Sequence, residues 1–341
     1  MTARFLIGVT LLCLALVGCR PTDPDNSSDT AISFENTVAV CSDGIWDHYT
    51  ADKIHAPAPD SEGFVIPVST RRNAIKNALA AFWLADYEVA VSESERAGYR
   101  LCRQGSSNDR LTFWHPATRG EGHARWVVRH GDAVRPLVIQ APHGVFDTDT
   151  MVQSVELFDA LNARALIVNA AHRCANTSAS SCSGTTSVCG ISGEGYRESD
   201  LAHTVESFFQ VAHVNLMTEF ETTWAISMHG MADDGFSVSN GTTDQTTADS
   251  PSAQLARALT ERMPDQRVTT CNDFGLGVEV AYRLCGSTNV QGRYLNNSPD
   301  ACTANAAEAS GRFIHLEQSR AIRTEETNRQ RVYQALNDIL P

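Results

Sequence analysis

The chain has 341 residues, of which 42% are apolar and 20% charged, the profile of a folded globular protein long enough for one sizeable core. It carries 40 acidic against 27 basic residues, a formal charge of −13, and Lys53 and Lys76 are its only lysines. So acidic a chain argues against nucleic acid and anionic lipid headgroups as partners, while a local arginine pocket can still receive an acidic ligand.

In chain order, Arg4 precedes the apolar run Phe5 to Val17. The run is short of the ~20 residues that a spanning helix needs and reads as an export signal over residues 1–18. Its end, Leu16-Val17-Gly18-Cys19, resembles the lipobox of bacterial lipoproteins. That resemblance implies cleavage before Cys19, a lipid on Cys19, and a cell-envelope location on the periplasm-facing side of the outer membrane. The alternative is an ordinary signal peptide followed by a chance cysteine. Residues 19–35 are polar, include Pro21 and Pro24, and read as a flexible tether to a single domain at 36–341.

Within that domain, residues 36–130 show one helix, Thr70 to Ala85, with Ala74, Ile75, Ala78, Leu79 and Phe82 at helical spacing. The rest of that segment has no assignment. From 136 onward strands and helices alternate. Strands are expected at 136–141, 164–169, 223–228, 266–270 and 312–316. Helices are expected at about 150–162, 200–218, 252–262 and 320–339, the first with a capping box of Thr150 and Gln153. Polar loops fill 174–198 and 233–249. The alternation predicts an α/β fold with a mixed, mostly parallel central sheet flanked by helices.

Of ten cysteines, Cys13 falls in the signal and Cys19 takes the lipid. The remaining eight are Cys41, Cys102, Cys174, Cys182, Cys189, Cys271, Cys285 and Cys302, an even set that reads as disulfides in an exported protein. Local pairing within 174–189 and within 271–302 is expected. No C-x2-C pair supports a thiolate metal site.

Three phrases carry chemistry: Ala141-Pro142-His143-Gly144, Ser227-Met228-His229-Gly230 and His315-Leu316-Glu317-Gln318. Each ends an apolar run, and in open α/β sheets ligands gather at the carboxyl ends of strands. Two histidines with a carboxylate are the ligands of a catalytic zinc site. Near His143 the carboxylate is Asp147 or Asp149. Asp149 suits the start of the next helix, so Asp147 is the favoured ligand and Asp149 the alternative. Glu317, at the end of an apolar strand, is either a general base or the partner of Arg320 or Arg323. His315 shares its face and is the spare ligand. Arg173 and Arg293 are candidates to clamp a substrate carboxylate or stabilise an oxyanion. His203 and His213 fall on the expected helix 200–218, off its apolar stripe, with surface or packing roles. G-x-S-x-G, P-loop, G-x-G-x-x-G and H-E-x-x-H patterns are absent.

The order of these phrases resembles the N-formylglutamate amidohydrolase and zinc-carboxypeptidase-like group. The resemblance covers roughly residues 136–320 and implies a phosphorylase/hydrolase-like fold. It further implies zinc held by His143, Asp147 and His229, with Glu317 as base and Arg173 binding a substrate carboxylate. The glutamate that the carboxypeptidases place three residues after the first histidine is Phe146 here. The expected activity is hydrolysis of an amide beside a carboxylate, in an N-acyl amino acid or a peptide or cell-wall fragment. Alternatives are a binding lipoprotein without turnover and a metal-dependent polysaccharide deacetylase or esterase.

Overall fold

The computed structural model describes residues 34–340, apart from 45, 48, 50–54, 106–109, 119–120, 122, 132–133, 191, 222, 243–247, 274 and 276. The expected signal peptide, Cys19 and most of the expected tether lie outside the described residues. Packing begins before residue 36: Phe34 is fully buried, its ring edge-on to Tyr87 and Phe82.

The described residues form a ten-stranded sheet between two layers of helices. Its centre is four parallel strands in the order β5 (Ala163–Val168), β4 (Arg135–Ala141), β8 (Trp224–Gly230) and β12 (Phe313–Gln318). Beyond β12 come β9 (Phe236–Ser239), antiparallel to it, then β10 (Val268–Thr270) and β11 (Glu279–Val280). On the other flank β3 (Arg125–Arg129), β2 (Leu111–Pro116) and β1 (Tyr99–Gln104) run antiparallel to one another, with β3 on β5. The mixed, mostly parallel sheet is therefore present. The unassigned segment before residue 130 supplies its antiparallel edge.

One helical layer holds α1 (Ser69–Trp83), α2 (Tyr87–Arg96) and α4 (Phe208–Glu219). The other holds α3 (Thr150–Ala160), α5 (Pro251–Arg262) and α8 (Glu326–Ile339). Strand alternation divides the core between them. Ile139, Ile226, Met228, Ile314 and Leu316 pack toward α3, α5 and α8, while Val138, Ala225 and Phe313 pack toward α1 and α4. Short α6 (Val290–Leu295) and α7 (Arg320–Thr324) precede and follow β12.

Several boundaries differ from expectation. The helix expected at 200–218 begins at Phe208, where the Ser207 side chain accepts from Gln210 N. Residues 200–207 run as turns instead, which frees Asp200 and His203 from a helix surface. Thr150 and Gln153 form no capping box. Thr150 donates to Asp147 O at 2.8 Å, and Gln153 pairs with Gln318 through two 2.9 Å amide bonds. Asp149 is the N-cap at φ 64° but makes no side-chain cap bond. The C-terminal helix breaks at Glu325, whose backbone is extended. Strand β9 lies inside the loop expected at 233–249, its four residues too few for a periodic signal.

Disulfides join Cys41–Cys102, Cys174–Cys189, Cys182–Cys302 and Cys271–Cys285. Cys174–Cys189 and Cys271–Cys285 are the local pairs expected within 174–189 and within 271–302, while Cys182 and Cys302 pair with each other across the two segments. In the loop 174–198, β6 (Thr185–Thr186) and β7 (Glu194–Gly195) form a small hairpin.

Candidate metal centre

On one face of β8 and β12 the side chains change along the strand from apolar to polar. Ala225 and Phe313 are followed by Ser227 and His315, then by His229 and Glu317, each pair in parallel register. The hydrophobic start seats the sheet on α4, and the polar end opens at the strands' carboxyl edge. Beside them, β4 ends at Ala141 and turns through His143, so all three phrases meet at one edge.

Glycine follows both site histidines because neighbours leave no room for a Cβ. At Gly144 a Cβ would lie 2.9 Å from Val168 Cγ1 and 3.0 Å from Asn169 O. At Gly230 it would lie 2.5 Å from the Arg323 guanidinium carbon. The Gly230 N–H also donates to Asp147 Oδ2 at 2.9 Å, fixing that carboxylate.

His143 Nδ1 lies 3.2 Å from His229 Nδ1 and 3.3 Å from Asp147 Oδ2, and His229 Nδ1 lies 3.9 Å from Asp147 Oδ2. All three side chains are buried. Tetrahedral zinc with bonds of ~2.05 Å places its ligand atoms about 3.3 Å apart, so this triangle is of the right size and donor type. Two further trios share its members. In His143, Asp200 and His203 the contacts are 2.8 and 2.9 Å, hydrogen-bond distances too short for atoms sharing one ion. In His229, His315 and Glu317 the shared histidine is already committed, its Nδ1 toward His143 and Asp147 and its Nε2 to Ser227 Oγ at 2.8 Å.

The outer contacts suit the same assignment. His143 Nε2 donates to Asp200 Oδ1 at 2.8 Å, which fixes the ring and turns the Nδ1 lone pair toward the triangle. Arg173 donates to Asp200 Oδ2 through Nε at 3.0 Å and through Nη2. Its Nη1 is 3.5 Å from His143 Nδ1. Phe146, where the resemblance implies glutamate, packs edge-on to His172 with its ring 5.5 Å from the Arg173 guanidinium. Asp147, one residue on, places its carboxylate in the triangle instead.

Glu317 has a carboxylate oxygen 3.8 Å from His315 Nε2, and both lie within 4.8 Å of a His229 nitrogen. Neither arginine expected as its alternative partner pairs with it: Arg323 donates to Gln318 O at 3.2 Å and to Thr148 O. Glu317 Oε2 and His315 Nδ1 are sealed without hydrogen-bond partners among the described residues. At the edge of the His143–Asp147–His229 triangle, these two unpaired groups suit a partner from outside the chain.

Electrostatics divides the cluster. Burial, with the charge of Asp147, pushes Glu317 up to about 8, against the pull of His143, Arg173 and Arg323. Burial and the neighbouring His315 and His143 hold His229 well below the usual imidazole range, and burial pushes His315 down to about 3. Burial and Arg173 also work against a charged His143, but Asp200 and Asp147 outweigh them and raise it. Asp200 stays far below the carboxylate range despite its burial, because Arg173, His203 and His143 surround it.

A cavity of about 350 Å³ opens onto this edge, lined by His143, Arg173, His203, His229, His315 and Glu317. Its far wall is residues 185–188 and 284–288. Arg293 is not brought here. Its guanidinium is spent on Ser287 O, Cys302 O, Ser183 Oγ and Asn305 Oδ1, at 2.8, 2.8, 3.1 and 2.6 Å, and it pins those loops together. His213, on α4, is buried between that helix and the sheet, against Gln140. His203 is not a surface residue but part of the site, and Asp200, its link to His143, carried no signal in the sequence. An acidic residue in a polar stretch acquires this role only when the chain folds back over β4.

No family model matches the chain, and no curated protein matches it. Among solved structures, a zinc-free apo form named YNDL aligns with 63% of this chain and 88% of its own, at 14% identity and a TM-score of 0.35. An aspartoacylase family protein from Mesorhizobium loti aligns with 70% of this chain and 66% of its own, at 9% identity and a TM-score of 0.34. Likeness at this level carries no functional argument, and function rests on the geometry of the site.

Proposed function

We propose that the protein is a zinc-dependent hydrolase that cleaves an amide bond beside a carboxylate, in an N-acyl amino acid or a peptide or cell-wall fragment. The observation that carries this reading is the triangle of His143 Nδ1, His229 Nδ1 and Asp147 Oδ2 with Glu317 across from His229 in strand register. His143, Asp147 and His229 would hold the zinc, which would supply Lewis-acid polarisation of the amide carbonyl and a water acidified toward a pKa of ~7. Glu317, whose carboxyl the charge of a bound cation would bring back down from about 8, would take the proton of the attacking water and deliver it to the leaving amine. Arg173, anchored by Asp200 and lining the cavity, offers its guanidinium to the substrate carboxylate. The envelope, with a lipid on Cys19, is the proposed location. The lipobox-like end of the signal supports it, and four disulfides agree with an oxidising compartment.

The test is elemental analysis of the purified protein, followed by assays on N-acyl amino acids and short peptides with and without chelator. One zinc per chain and chelator-sensitive amide hydrolysis are expected. A protein that binds no divalent metal, or whose hydrolysis ignores the chelator, rules the reading out.

A further inference from the structure

Asp200 orients two histidines. Its Oδ1 takes His143 Nε2 at 2.8 Å and His203 Nδ1 at 2.9 Å, while its Oδ2 takes Arg173. An imidazole that donates from Nδ1 to a carboxylate carries its lone pair on Nε2 when neutral. For His143, which donates from Nε2, the lone pair is on Nδ1, at the corner of the metal triangle. For His203 it is on Nε2, which has no hydrogen-bond partner among the described residues and is not among the nitrogens sealed from solvent. His203 lines the same cavity as Glu317 and Arg173, so this nitrogen opens on it.

The ring is held in that orientation. Tyr196 stacks on it with centroids 3.5 Å apart and planes 5° apart, and the Tyr196 hydroxyl is 3.0 Å from Thr288 Oγ1. Behind Tyr196 sits Gly184, where a Cβ would lie 2.5 Å from the tyrosine ring. The stack is therefore backed by the chain between Cys182 and Cys189, and by the segment after Cys285.

We infer that His203 Nε2 accepts a hydrogen bond from the amide N–H of the bound substrate, which makes the site selective for amides over the matching esters. This inference rests on the hydrolase reading and deepens it. With Arg173 taken by the substrate carboxylate and Glu317 by proton transfer, the N–H is the substrate group still in need of an acceptor. An ester has no N–H and leaves the oriented lone pair unpaired, and sites built around a substrate hydrogen bond discriminate strongly against analogues that lack it.

Two measurements test it. Nitrogen NMR of the histidine-labelled full chain, without metal or substrate, reads the His203 tautomer. A protonated Nδ1 with a bare Nε2 is expected, and the reverse overturns the proposal. The second uses His203→Asn, whose amide can keep the bond to Asp200 while deleting Nε2. On a matched N-acyl amide and ester, its amide-to-ester ratio of kcat/KM is expected to fall at least about tenfold from the wild-type ratio. Equal slowing of both substrates, or an unchanged ratio, assigns His203 a purely structural role and overturns the proposal. Because the tautomer is read without substrate, a wild-type protein that hydrolyses neither compound counts against the hydrolase reading and not against the acceptor.

Discussion

Glu317 of β12 and His229 of β8 stand opposite each other in parallel register, at the carboxyl ends of adjacent strands. The sheet itself therefore sets the distance between the proposed base and a metal ligand. The two should be separable by mutation. Glu317→Gln keeps the metal triangle and is expected to bind zinc as wild type does while losing ~10²–10⁴ in kcat. His229→Ala is expected to lose the metal. Metal content and turnover, measured on both variants, check this, and a Glu317→Gln protein that turns over normally removes the glutamate from the mechanism.

Asp200 holds His143 from behind and Arg173 from the side. Asp200→Asn keeps the shape but weakens both contacts. Zinc affinity, measured by chelator competition, is expected to fall roughly 10–100-fold, as for other groups that orient a ligating histidine. Substrate KM should rise as well, because Arg173 loses its anchor. Wild-type zinc affinity in this variant would mean that the His143 ring is oriented by something else.

Acid should destabilise the fold through histidines far from the metal. Burial, with Arg71 and Arg125, pushes His123 down to about 4. Burial, with Arg110 and Arg164, pushes His130 to about 3, and burial pushes His213 to about 3. All three are neutral when folded and titrate near 6.5 when unfolded. Their contribution is whole above that value and is lost as pH falls toward 4 and 3, each at about 1.4 kcal/mol per pH unit. Glu317 works in the opposite sense, its raised pKa favouring the fold as pH drops from about 8 toward its ordinary value. One such group does not cancel three. Urea unfolding in chelator at pH 7.5 and 5.5 should show the loss, and His123→Gln with His130→Gln should flatten it. Stability that is constant or rises on acidification contradicts this account.

The disulfides divide by location. Cys285 lines the cavity, Cys182 and Cys189 bracket its wall at 185–188, and Cys174 adjoins Arg173. Cys41–Cys102 ties the first described segment to edge strand β1. Replacing Cys41 and Cys102 by serine is expected to cost about 2–4 kcal/mol of stability with little change in kcat/KM. Replacing Cys271 and Cys285 should instead lower kcat/KM beyond its effect on stability, because the segment against His315 is released. Thermal melts and kinetics on both variants separate the two outcomes.

The parallel centre of the sheet was legible because its strands are buried on both faces and read as short apolar runs. β4 and β8 announce themselves in this way, as do the histidine phrases that end them. The edge strands β1 to β3 did not, since their alternation is broken by buried polar residues such as Thr112, His115 and Arg125. The turns at 200–207 read as helix because Leu201, Val205 and Phe208 fall at helical spacing, whereas the contacts of Asp200 and His203 across the chain outweigh that local preference.

By itself the sequence determined the α/β class, offered His143, Asp147 or Asp149, His229 and Glu317 as candidates for one site, and set eight cysteines in the domain. These follow from local pattern: apolar runs, the residues that end them, and side-chain chemistry. Only the tertiary structure decided that Asp200 links His143, His203 and Arg173, that Arg293 braces loops, and that Cys182 pairs with Cys302. Those relations join positions far apart in the chain, and nothing in local spacing encodes which distant groups a folded backbone will bring within a hydrogen bond of one another.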